Sequence, residues 1–242
     1  ILSATGEKDP QRAWEINMRS LFNVLETARR QNMHKVYFPS SIAVFGREAH
    51  RENTPQHEVL IPETVYGISK VATEMLALQY WSNWKIRSVC ARIFNTTGAR
   101  KTGDVCADLT QRVARIEAGQ IPPVLKVGNQ DTWRAITDVR DLASALELLA
   151  EKGEAGGVYN ISGGRTYQIR ELVERVVAAA RVPIAVETDP ALLRPSDEKV
   201  IFGDSGRLVA RTGWKQQVDI ATTLGDMIAY WRRMFGVEEG AA

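Results

Sequence analysis

Cysteine is scarce in this chain of 242 residues: Cys90 and Cys106 are the only two, and they form no Cys-x-x-Cys pair. Neither a disulfide framework nor a thiolate metal site can organise the fold, and two reduced thiols point to a reducing, cytoplasmic compartment. The three histidines, His34, His50 and His57, lack metal-ligand spacing, so no metal is expected. No run reaches the about eighteen consecutive apolar residues of a membrane-spanning helix, and no basic-then-apolar leader precedes a cleavage site. An excess of one charge is missing too, since 31 basic and 29 acidic residues are interspersed and leave a formal charge of +2. That removes the basic face nucleic acid requires, so the expected partner is a small molecule rather than nucleic acid or membrane. Among 18 glycines there is no Gly-x-x-Gly-x-x-Gly turn. What remains, 44% hydrophobic and 25% charged, is globular material for one large core or two modest ones. The chain opens on Ile1-Leu-Ser3 without a methionine, and its first strong signal comes only at Asp9-Pro10, which suggests a clipped or partly represented chain.

Asp9 is placed to cap a helix with Pro10 at its first position, and Trp14, Met18, Leu21, Phe22, Leu25 and Ala28 then read as one helical face packed on a sheet. Lys35 to Ser41 is a short apolar run closing in small polar residues, the pattern of a buried parallel strand whose C-terminal end opens into a site. Arg47 to Pro62 reads as a loop, about Thr64 to Trp81 as a helix, and Lys85 to Phe94 as a second buried strand ended by Asn95-Thr-Thr-Gly98. Helix, strand, long helix, strand is a parallel βαβ order. Beyond Gly98 the pattern predicts helices over 104–118, 138–151, 169–180 and 220–235, with short strands near 123–127, 133–137, 158–161 and 184–187. The expected class is α/β: a partial Rossmann-like parallel sheet carrying the active site over residues 1–98, and a smaller, mainly substrate-binding α/β region over 99–242, some of whose segments return to the sheet.

Tyr66 and Lys70 are four apart on the predicted helix and so share a face. Tyrosine is a poor base at neutral pH, with an ordinary pKa of about 10, but a nearby ammonium stabilises its phenolate. A serine hydroxyl at the same point can donate to a substrate oxygen while tyrosine exchanges the proton, leaving hydride movement to a nicotinamide. Ser41 is the candidate. Tyr-x-x-x-Lys alone is a weak signal; here Ser40-Ser41 ends a strand, Val44-Phe-Gly46 follows, and Tyr66 opens the next long helix.

Phe38-Pro-Ser-Ser-Ile-Ala-Val-Phe-Gly46 with Val65-Tyr-Gly-Ile-Ser-Lys70, preceded by Ile16 to Glu26, resembles the extended short-chain dehydrogenase/reductase superfamily over nearly the whole chain. The resemblance implies NAD or NADP as cofactor, Tyr66 as acid/base, Lys70 on the nicotinamide ribose, Ser41 polarising the reacting oxygen, and Asn17, Ser40 and Phe94 also at the cofactor. Members begin with a strand and a glycine-rich turn that cradles the pyrophosphate; by analogy Ile1 to Ser3 follows the fourth strand, so that half is expected upstream of Ile1. The helices carrying Asn17 and Tyr66 resemble a pair that builds a homodimer interface.

Residues 1–70, especially Leu2 to Pro10, Pro39 to Gly46 and Thr54 to His57, resemble L-threonine 3-dehydrogenase. From about Val71 onward the chain resembles enzymes that modify GDP-sugars, on Arg92 to Gly98, Lys126 to Asn129, Arg134 to Asp141 and Leu193 to Asp197. This second resemblance implies a nucleotide-sugar substrate, with Arg134 and Arg194 on its pyrophosphate and Asn95 and Ser3 on the substrate side. Dehydratases of the superfamily carry an acid directly after the catalytic Ser/Thr; Ile42 and Ala43 stand here, which favours reduction or epimerisation over water elimination. The expected activity is that of a reductase or epimerase most like GDP-4-keto-6-deoxymannose reductase. The alternatives are threonine dehydrogenase and a truncated or composite chain that keeps the fold without binding cofactor.

Overall fold

The computed structural model describes residues 8–33, 35–46, 59–193 and 199–237. Its first helical segment, Pro10–Trp14, begins where Asp9 accepts the amide N–H of Arg12 at 3.0 Å. It passes through a wide π turn, Glu15–Arg19, into the helix Ser20–Arg30. Strand β1 (Lys35–Ser41) follows, then a short 3₁₀ turn, Ile42–Val44. The long helix Val65–Trp84 opens on Thr64, whose hydroxyl accepts the Gly67 N–H at 3.0 Å, and stops at Lys85 in the left-handed region (φ 56°). Next come β2 (Arg87–Ile93), β3 (Thr96–Thr97), the helix Val105–Glu117, β4 (Val124–Val127), β5 (Trp133–Ala135), β6 (Thr137–Asp138) and the helix Val139–Lys152. The remainder is β7 (Gly157–Ile161), β8 (Thr166–Gln168), the helix Ile169–Ala178, β9 (Ala185–Thr188), a 3₁₀ turn at Pro190–Leu192, β10 (Val200–Ile201) and the helices Gly206–Thr212 and Ile220–Phe235. No described helix is long and apolar enough to cross a membrane.

The central sheet has the order β1-β2-β7, all parallel, with Ser40 opposite Arg92 and Ser41 opposite Ile93. β2 and β7 are covered on both faces, as parallel strands require, whereas β1 buries only Val36, Phe38 and Ser40 and leaves Tyr37 and Pro39 exposed on its other face. Leu21, Leu25, Ala77 and Tyr80 pack on Val36, Phe38 and Cys90 from one side. On the other, Ala145, Leu149, Leu208 and Trp214 pack on Val89, Ala91, Tyr159 and Ile161. Each fully buried aliphatic side chain, such as Leu149 or Ile161, contributes roughly 1.5–3 kcal/mol. A second core joins the helices Val105–Glu117, Ile169–Ala178 and Ile220–Phe235 to β4. This is the expected Rossmann-like α/β arrangement, with smaller β10-β5-β8, β3-β6 and β4-β9 sheets beyond Gly98.

Two expectations are corrected. The first helix does not bury Trp14 and Phe22, which are 44% and 47% exposed; Ala13, Asn17, Leu21, Leu25 and Ala28 face the core instead. Ala13, Asn17, Leu21 and Leu25 recur every fourth residue, a spacing the π turn accommodates by widening the helix. Trp14, Met18 and Phe22 form a neighbouring stripe that the sequence pattern merges with the buried one. The strand expected over 133–137 divides at buried Ile136: β5 pairs with β8 and β10, while β6 turns to β3. The broken run lets the Thr137 N–H reach the Asn95 carbonyl at 2.9 Å.

Candidate active site

Ser41 closes β1, and its hydroxyl accepts the Ala43 N–H at 3.2 Å, capping the Ile42–Val44 turn. The start of the Val65–Trp84 helix lies directly on that turn. A Cβ on Gly67 would stand 2.4 Å from the Ala43 carbonyl oxygen and 3.0 Å from Pro62 Cβ, so the approach requires glycine. Gly46, at φ +55°, makes the matching approach on the far side of the turn, where a Cβ would overlap the Ile61 carbonyl. These two glycines bring Tyr66 beside the end of β1.

One turn along the same helix, Lys70 Nζ donates to the Pro39 carbonyl at 2.9 Å and stands 5.7 Å from the centre of the Tyr66 ring. The expected face-sharing of Tyr66 and Lys70 is therefore present, tied to the residue two before Ser41. Burial pushes the Lys70 pKa below the ordinary lysine range, against the opposing influence of Cys90 and Glu74.

Asn17 sits inside the π turn, 8% exposed, and its Nδ2 donates to Ser69 Oγ at 2.8 Å. Ser69 Oγ in turn donates to the Tyr66 carbonyl at 2.7 Å. Ser40, expected at the cofactor, turns its hydroxyl inward to Glu74 Oε1 at 2.5 Å and is 3% exposed. Phe94 is likewise 3% exposed, packed with Phe45 and Val44, and its ring lies where a Cβ on Gly203 would fall. Its side chain thus supports the turn from beneath.

Asn95 follows β2, and its Nδ2 has no hydrogen-bond partner among the described residues. Arg134 lies on β5, half-buried, with Nη1 donating to the Trp133 carbonyl at 2.8 Å. The Thr137 to Asn95 bond links the Arg134 strand run to the end of β2. Ser3 and Arg194 lie outside the described residues, as do the three histidines and most of the 47–62 loop.

Sequence reading missed Gly67, Ser69, Glu74 and Arg92. The available signal was a lone acid, Glu74, in an otherwise apolar helical stretch, one turn after Lys70, and a lone arginine in the apolar run Ser88 to Phe94.

Residues 5–227 match the family described as GDP-mannose 4,6 dehydratase. The chain belongs to that family, within the extended short-chain dehydrogenase/reductase superfamily. It is 34% identical over 228 residues to GDP-6-deoxy-D-mannose reductase of Pseudomonas aeruginosa, covering 93% of this chain and 75% of that protein. The structure of RMD from Pseudomonas aeruginosa complexed with NADPH superposes with a TM-score of 0.88 at 30% identity, over 96% of this chain and 78% of the other. A monomeric L-threonine 3-dehydrogenase from a metagenome, in apo form, superposes with a TM-score of 0.80 at 27% identity, over 97% and 77%. Both resemblances read from the sequence thus have counterparts among known proteins.

Proposed function

We propose that the protein is an NAD(P)-dependent reductase of a nucleotide sugar, most like a GDP-4-keto-6-deoxymannose reductase. The observation that carries this reading is the packing of Gly67 on the Ala43 carbonyl, which assembles Ser41, Tyr66 and Lys70 at the C-terminal end of β1. The likeness to the Pseudomonas aeruginosa reductase over 93% of the chain supports the substrate class.

The donor set fits a dinucleotide. Lys70 carries three N–H donors and commits one to Pro39, leaving two for ribose hydroxyls. Hydride transfer is the chemistry a bound nicotinamide supplies. In reduction of a 4-keto group, the Tyr66 hydroxyl gives its proton to the substrate oxygen, Ser41 Oγ donates to that same oxygen, and the Lys70 charge stabilises the resulting phenolate. Asn17, through Ser69, holds the backbone of Tyr66. Asn95 would act on the substrate side, its buried Nδ2 having no hydrogen-bond partner among the described residues, and Arg134, with Arg194, would carry the pyrophosphate. Residues 1–98 supply the reacting groups, and 99–242 mainly the substrate side.

The family's name mentions dehydration, but Ile42, which follows Ser41, packs on Val44, Phe45 and Phe94 and offers no group to remove a proton. Reduction is therefore favoured over elimination. Threonine dehydrogenation is the second reading, supported by the likeness to the metagenome enzyme. Exposed Trp14, Phe22, Ile68 and Met75 on the two site helices favour a homodimer, and the two free cysteines, Cys90 and Cys106, favour a reducing, cytoplasmic compartment. Parallel assays decide between the substrates. NADPH oxidation with GDP-4-keto-6-deoxymannose is expected; NAD reduction with L-threonine instead would replace the first reading by the second.

A further inference from the structure

Tyr66, Lys70 and Glu74 succeed one another at four-residue intervals along one face of the Val65–Trp84 helix. Glu74 is 1% exposed. Arg92 reaches it from β2 as a fork, Nε donating to Oε1 at 3.0 Å and Nη2 to Oε2 at 2.7 Å. The same guanidinium lies 4.9 Å from the centre of the Phe45 ring, just past the Ile42–Val44 turn. Ser40, opposite Arg92 in the sheet, adds its hydroxyl to Glu74 Oε1 at 2.5 Å. Two successive residues at the end of β1 are thereby held by two successive turns of the helix: the Pro39 carbonyl by Lys70 and the Ser40 hydroxyl by Glu74.

A buried ion pair is weak support for stability, because well-packed apolar residues of similar volume often serve as well. Apolar residues, however, cannot fix a hydroxyl. We propose that Glu74, anchored by Arg92, is a positioning residue of the Ser41–Tyr66–Lys70 site, which orients the end of β1 through Ser40.

The inference rests on the catalytic reading above, and the test separates the two. Turnover with GDP-4-keto-6-deoxymannose and NADPH is compared in wild type, Ser40→Ala, Tyr66→Phe and the apolar double variant Glu74→Met/Arg92→Met. Ser40→Ala keeps the ion pair and should lower kcat about tenfold, with KM within about twofold. The double variant should melt near wild type yet keep the low kcat. If Tyr66→Phe abolishes turnover while Ser40→Ala and the double variant work at the wild-type rate, positioning by Glu74 is overturned alone. Full turnover in Tyr66→Phe would instead remove the catalytic reading.

Discussion

Gly67 rests on the carbonyl of Ala43 so closely that a methyl group there would stand 2.4 Å from the oxygen. This contact joins the helix bearing the candidate acid/base to the turn capped by Ser41. Gly67→Ala has to push the helix start away. A displacement on the order of 1 Å at a reacting group lowers turnover about a hundredfold, so kcat should fall steeply while the melting temperature changes little. Steady-state kinetics beside a thermal melt checks this, and wild-type kcat in Gly67→Ala would contradict it.

The Asn17–Ser69 bond spans two helices inside the protein. Ser69→Ala leaves the buried Asn17 amide without its acceptor, a loss of about 1–3 kcal/mol. Urea unfolding should show a lowered midpoint at an unchanged slope. Adding Asn17→Leu to Ser69→Ala should recover part of the loss, because the orphaned donor is then gone.

Glu26 and Tyr80 join the same two helices by a 2.7 Å hydrogen bond. Hydrogen bonding to Arg29, then to Tyr80, lowers the Glu26 pKa from 4.5 to about 2. Burial, then the bond to Glu26, raises that of Tyr80 from 10.0 to about 12. A lowered acid stabilises the fold above its unfolded pKa, so the advantage of wild type over Glu26→Gln should be full above pH 4.5 and close as pH falls toward 2. A raised phenol stabilises below its unfolded pKa, so the advantage over Tyr80→Phe should fade between pH 10.0 and 12. Urea midpoints across pH measure both.

Arg134 is assigned to the substrate's pyrophosphate, which does not change during reaction. Arg134→Ala should therefore raise KM for the nucleotide sugar about tenfold or more with little change in kcat. A fall in kcat at constant KM would count against that assignment.

Much of this was legible in the chain itself. Asp9 with Pro10 announces its helix because capping is local chemistry, and Lys35–Ser41 announces a strand because a short apolar run, in which Val36, Phe38 and Ser40 face the core, closes in small polar residues. Tyr66 and Lys70 were legible because a four-residue spacing fixes a common face. The pattern of Trp14, Met18 and Phe22 misled because a π turn changes the helical period, and no local signal marks that turn. Ser40 and Phe94 faced inward for a tertiary reason: their partners, Glu74 and Gly203, are distant in sequence and adjacent only once the strands align. Glu74 and Arg92 were visible as lone charges in apolar runs, but their pairing depends on the sheet register.

The central claim is that Tyr66 exchanges the proton while the rest of the site binds. The most direct measurement compares Tyr66→Phe with wild type for turnover and for nucleotide-sugar affinity by calorimetry. The account predicts at least about a hundredfold loss of kcat with the dissociation constant largely unchanged. Turnover at the wild-type rate in Tyr66→Phe would contradict it.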